Sequence, residues 1–376
     1  FNRDDVDIEA CEGRHFLSRD REQYDVIQLS SVDVLSALSS GAYAMAENYL
    51  YTVESMRDSL ERLTPTGILS YSRLYIKPPR ESLRLISTMS QALEDRGVAE
   101  PWRHVVVLGA GMWTDTMLKK SPFSAEEVQA LTDWAQANGF NILYDPFHPG
   151  DTPMDKVLRA TPEARLQFYA EYPFRISPST DDQPFFFNYH KWSAVPGDKA
   201  GIGSKLPLAL LTLVWSIVII ALLAVAGILA PLLGQSVAPR PGRWRAFVFC
   251  AALGLGFIFV ELALMQKLMV FLGGPTYALA VTLFALLAFA GMGSRLAGRW
   301  SSKPEWLLKQ LMLILPIAIV AVALLMGQVI PLALGFSWTG RVALAVAMLA
   351  PLALLLGMPF PTGIALIGRY APDWVP

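Results

Sequence analysis

From Leu206 to the end of the chain, five long stretches are almost free of charge. Leu206 to Gly234 carries none. Ala246 to Gly274 is broken only by Glu261 and Lys267. Tyr277 to Ser294, Gln310 to Phe336 and Val342 to Gly368 follow. Crossing a bilayer takes about 20 apolar residues, and buried helices of water-soluble proteins seldom run so long without a charge. The expectation is a transmembrane bundle of about five helices over residues 206–376, and hence an integral membrane protein with the lipid bilayer as its partner.

Residues 1–192 differ sharply, with charges throughout, and residues 193–205 read as a linker. The opening on Phe1 and the ending at Pro376 both read as cut ends. Formal net charge is -1, with no basic excess to suggest nucleic acid. Cys11 and Cys250 cannot make a disulfide framework, and Cys250 lies in an apolar span. The four histidines are scattered with no ligand spacing, so no metal is expected.

Periodicity in the first half alternates between strand and helix. Val6 to Cys11 is a short β-like run, and Gly13 to Leu17 a helical turn. Tyr24 to Leu29 reads as a buried strand. Helical spacing covers Tyr51 to Leu63, and Thr64-Pro65-Thr66-Gly67 reads as a turn. A strand over Gly67 to Ser72 and a helix over Glu81 to Arg96 come next. Strands at Val105–Leu108 and Thr114–Leu118, a helix over Ala125–Asn138 and a strand at Asn141–Tyr144 complete it. This pattern argues for a doubly wound α/β sheet, whose ligands sit at the carboxyl ends of the strands. That places a site in the loop after Leu29. Gly109-Ala110-Gly111 imitates a dinucleotide loop. Its third glycine is missing, since position 114 is Thr114, and a strand follows, so a hairpin turn is the better reading.

Several segments resemble the spermidine synthase (polyamine aminopropyltransferase) family of the class I methyltransferase-like fold. They are Glu12-Gly13-Arg14-His15-Phe16-Leu17, Tyr24-Asp25-Val26-Ile27, Ser30-Ser31-Val32-Asp33, Leu50-Tyr51-Thr52 and Leu63 to Leu69. Thr180 to Phe187 (TDDQPFFF), the Gly273-Gly274-Pro275-Thr276-Tyr277 turn and Gly291 to Arg295 resemble its bacterial membrane-fused branch. The resemblance implies a partial Rossmann-like α/β domain ahead of the membrane helices, in a bacterial inner membrane. It implies S-adenosylmethionine or its decarboxylated form as cofactor and an amine or membrane-proximal substrate.

Carried over position by position, Asp33 would hold the cationic amine, Glu12 and Gly13 would meet the adenine, and Ser31 would line the cofactor site. Ser30 stands where the family has the aspartate that takes the amine proton. A carboxylate is a base near neutral pH and an unassisted hydroxyl is not. Glu47, in the following loop, is a candidate replacement base, although loop acids are usually only solvated. Two other readings stand beside the transferase. One is a catalytically degenerate scaffolding subunit of a membrane complex. The other is a transporter or sensor using Glu261, Gln266 and Lys267, because a carboxylate within a span needs a partner or a wet cavity. Pro359-Phe360-Pro361 should break the last span. Asp181-Asp182 and the phenylalanines after them read as a docking element on the bilayer or the bundle rather than a catalytic pair.

The loops carrying Arg240, Arg243 and Arg245, and Arg295, Arg299, Lys303 and Lys309, share one side of the membrane. Lys199, Lys205 and Arg341 mark the other, where the α/β domain belongs. The positive-inside rule puts that domain outside the cytoplasm, whereas a cytosolic cofactor puts it inside. The sequence leaves both orientations open.

Overall fold

The computed structural model describes residues 6–9, 11–30, 47–191, 208–233, 242–300 and 302–370. Internal contacts divide the chain into two compact units. One joins Phe1–Arg19 to Ser236–Pro376, and the other is Asp20–Gln235.

The second unit is built on a five-stranded sheet: β1 (Tyr24–Ser30), β2 (Leu63–Leu74), β3 (Val105–Ala110), β4 (Trp113–Lys119) and β5 (Asn141–Tyr144), in the order β1-β2-β4-β3-β5. Among the described residues only β1 and β2 are parallel neighbours, while β4 runs antiparallel to β2 and β3, and β5 antiparallel to β3. The sheet is therefore mixed, and not the parallel doubly wound sheet expected. The cause is the short turn after Ala110, where Gly111 takes φ +59°. Two residues can only return a chain antiparallel, whereas a parallel neighbour needs a crossover of a dozen or more. The Gly109-Ala110-Gly111 segment is thus a hairpin, as its missing third glycine indicated.

Helix α2 (Val53–Arg62) lies in the connection from β1 to its parallel neighbour β2. It packs with α3 (Glu81–Glu94) on one face of the sheet, where Met56, Leu60, Tyr71, Ile86, Met89 and Val107 are fully buried or nearly so. Helix α4 (Ala125–Ala137) covers the other face through Val128 and Ala135 against Val106 and Leu108. Ser124 starts α4 with a reciprocal capping box: its hydroxyl accepts from Glu127 N, and the Glu127 carboxylate accepts from Ser124 N. Short helices α5 (Pro153–Leu158) and α6 (Pro162–Glu171) follow, and α7 spans Leu208–Leu233.

Two local expectations change. Thr64-Pro65-Thr66-Gly67 lies inside β2 as an irregularity, because Leu63 pairs with Tyr24 and the next paired residue, Ile68, faces Val26. The turn chemistry is spent on a bulge instead of a chain reversal. Gly67 is required there, since a Cβ would sit 2.9 Å from Tyr24 O. Residues 6–9 form no strand, and Val6 and Ile8 are exposed.

The first unit contains α1 (Gly13–Arg19), α8 (Arg243–Leu272), α9 (Pro275–Ala297), α10 (Pro304–Ala333), α11 (Trp338–Leu356) and α12 (Pro359–Tyr370). Among the described residues, four helical stretches are long and apolar enough to cross a membrane: Trp244–Leu272, Pro275–Ala297, Pro304–Ala333 and Trp338–Tyr370. They support an integral membrane protein. Of the five spans expected, the first falls on α7, whose described apolar stretch, Val214–Gly227, is shorter. The last span is interrupted between Leu356 and Pro359, as its prolines indicated. Large apolar side chains such as Phe259, Leu262, Leu313 and Leu332 point outward, a pattern suited to lipid and costly in water.

Helices α9 and α11 touch backbone to backbone. A Cβ at Gly293 would collide with Leu354 O, and one at Gly357 with Ala290 O. Small residues at such crossings let bilayer helices gain close van der Waals contact. An apolar cleft of about 580 Å³ lies between α8, α10, the end of α11 and α12, lined by Cys250, Gly254, Phe257, Leu315, Leu356 and Pro359.

Candidate functional site

Strand β1 ends at Ser30, which is exposed. In the sheet register Ser30 lies opposite Ser72 of β2, and Ser72 lies opposite Asp115 of β4. Residues directly opposite one another share a face, so the three side chains form one row across the carboxyl ends of the parallel pair. At the ~4.8 Å spacing of neighbouring strands, the row is about 10 Å long from β1 to β4.

Asp115 is held in place by serines. Its Oδ1 accepts from Ser70 Oγ at 2.7 Å and more weakly from Ser72 Oγ at 3.4 Å. Asp115 is half-buried, and Oδ2 has no hydrogen-bond partner among the described residues. The arrangement is a fixed carboxylate with one oxygen left for a cation. Sequence reasoning missed it, although an aspartate among Thr114, Thr116 and Met117 in a strand facing Ser-Tyr-Ser was the available signal.

Of the residues assigned from the resemblance, Ser31 and Asp33 lie outside the described residues. Glu47 is described; its Oε2 accepts from Tyr49 Oη at 3.3 Å. Glu12 belongs to the helical unit, where it caps α1. Its two carboxylate oxygens accept from Arg14 N at 3.1 Å and His15 N at 2.8 Å. Gly13 is the first residue of that helix.

Asp181 has a structural place inside the α/β unit. Thr52 Oγ1, the N-cap of α2, donates to Asp181 Oδ1 at 2.8 Å, and Asp181 N donates to Glu54 Oε2 at 2.9 Å. Phe186 and Phe187 are 0% and 2% exposed and pack on Tyr51. The segment docks into its own core, which corrects the expectation of docking on the bilayer or the bundle. The cause is Arg84, which draws the chain in by donating to Ser177 O, Phe185 O, Phe186 O and Asn188 O.

Glu261 is half-buried in the middle of α8 and has no hydrogen-bond or ion-pair partner among the described residues. Gln266 and Lys267 lie five and six residues further along the helix. At 100° per residue they point away from Glu261, and no ion pair joins Glu261 to Lys267 among the described residues. Cys11 and Cys250 are both free thiols. Among the described residues no group of three His, Cys, Asp or Glu side chains is placed to hold a metal ion.

Compared with known proteins, no family model matches the chain, and no curated protein matches it either.

Proposed function

We propose that the α/β unit is a spermidine synthase-like transferase module carried by a membrane protein of the bacterial inner membrane. It would take S-adenosylmethionine or decarboxylated S-adenosylmethionine and an amine or membrane-proximal acceptor. The observation that supports this reading is the Ser30–Ser72–Asp115 row at the carboxyl ends of β1 and β2, the position at which α/β sheets bind ligands.

In the reaction the acceptor nitrogen attacks a carbon bonded to the sulfonium. The new C–N bond forms as the C–S bond breaks, its electron pair stays on sulfur as a neutral thioether, and the nitrogen gives up a proton to a base. Asp115 offers a carboxylate for a cationic amine at one end of the row, and Asp33 is the acid that the resemblance assigns to the amine. Ser30 lines the gap between donor and acceptor.

The first test is calorimetric titration of the full chain with S-adenosylmethionine, its decarboxylated form and methylthioadenosine, repeated on Asp33→Ala. Tight binding of the decarboxylated form, with amine turnover lost in Asp33→Ala, supports aminopropyl transfer. Preference for S-adenosylmethionine supports methyl transfer. Folded protein that binds none of the three rejects the transferase.

A second reading rests on Glu261, a carboxylate in a spanning helix with no partner among the described residues, which fits a transporter or sensor. Glu261→Gln would then abolish transport or sensing while leaving nucleoside binding intact.

A further inference from the structure

Helices α1, α8 and α11 meet where α8 stops, at the end of the helical unit marked by the Tyr277–Trp338 aromatic pair. Aromatic residues of this kind gather at membrane–water interfaces. His15 of α1 is 3% exposed there, and Arg341 of α11 is 4% exposed. The His15 ring lies against the turn after α8, its Cδ2 3.4 Å from where a Cβ of Gly273 would stand.

Three contacts define the ring's chemistry. Nδ1 is 3.1 Å from Val270 O. Nε2 is 2.7 Å from Arg341 Nη1, which also lies 3.2 Å from Nδ1 and donates to Phe271 O at 2.8 Å. A carbonyl can only accept, so Nδ1 carries the hydrogen. Arg341 Nη1, within 3.2 Å of both ring nitrogens, lies against the face of the ring. The species that fits these contacts is the neutral Nδ1–H imidazole. A second proton would set a cationic ring in contact with the guanidinium, and two cations in contact repel.

The charged groups around the ring do not offset this. Arg341 faces it from α11, Arg19 from α1 and Glu12 from the residue before α1, and α8 presents the Val270 carbonyl. The carboxylate of Glu12 is occupied with the amides of α1, and Arg19 is paired with Glu9. Burial first, and Arg341 second, lower the pKa of His15 below its ordinary 6.5.

We propose that His15 is a proton-sensitive latch, holding α1 against α8 and α11 while neutral and releasing it when protonated. The sign follows from the lowered pKa. Docking is strongest above the unfolded value near 6.5 and weakens as pH falls from there through the lower, docked value. This inference is independent of the transferase reading, because it uses no residue of the sheet.

Ring NMR of the full chain in lipid nanodiscs, with labelled histidine, tests it. The chain has four histidines, and His15→Gln identifies the signal. The expected result is an Nδ1–H tautomer at neutral pH and a titration midpoint below 6.5. Amides of α1 should exchange faster with deuterium below that midpoint than in His15→Gln at the same pH. Arg341→Gln should raise the midpoint, and if that variant fails to fold, the wild type and His15→Gln still decide. An Nε2–H tautomer, a midpoint at or above 6.5, or α1 exchange equal in both proteins overturns the latch.

Discussion

Replacing Arg84 with methionine should loosen the segment that carries Thr180 to Phe187. Arg84 is 1% exposed and reaches four carbonyls: Ser177 O at 3.2 Å, Phe185 O at 2.8 Å, Phe186 O at 2.7 Å and Asn188 O at 3.1 Å. Phe185 O also accepts from Asn188 N, so the substitution takes the described donor from the other three. An orphaned buried acceptor costs about 1–3 kcal/mol. Against that, methionine removes a charge that is costly to bury; burial lowers the guanidinium pKa to about 9, which still leaves it ionised at neutral pH. The net loss is about 3 kcal/mol, a fall in Tm of roughly 6–12 °C for a unit of this size. Thermal unfolding of detergent-solubilised protein would measure it, with deuterium exchange across residues 177–188 locating it. Arg84→Lys should recover less than half, because one ammonium cannot face four carbonyls as a fork does. A Tm within about 2 °C of wild type, with unchanged exchange at those residues, would refute the account.

Two further outcomes follow from local geometry. Gly293→Leu pushes a side chain into Leu354 O, and overpacking of this kind costs about 1–3 kcal/mol or more; the variant should lose its single peak in size-exclusion chromatography in detergent. Ser124→Ala removes the cap of α4 and should cost about 1 kcal/mol, seen as a lower Tm with faster exchange confined to the first turn of that helix.

The fold was legible where a short-range rule acts alone. Ser124 with Glu127 announces α4, the missing third glycine identifies the β3–β4 hairpin, and uncharged length marks the membrane helices. It was not legible where a distant partner decides. Thr64-Pro65-Thr66-Gly67 has the chemistry of a turn, yet pairing with Tyr24 and Val26 keeps it in the sheet. Phe185, Phe186 and Phe187 look like a membrane contact until Arg84 is known to hold their carbonyls. Asp115 gains meaning only from the register that sets it opposite Ser72, and His15 only from an arginine 326 positions away. Strand order and long-range ion placement have no signature within any short window of sequence.

The contact of α9 with α11 has a mechanical consequence. With the Leu354 and Ala290 carbonyls seated on glycine, neither helix can slide or roll without driving backbone into backbone. The pair behaves as a stator. Gly357 is one of its fixed points and also lies at the break before Pro359, so α12 starts from the anchored end of α11. The apolar cleft is lined from α8, α10 and α12 and by Leu356 at that anchored end of α11, so one wall of it is tied to the stator.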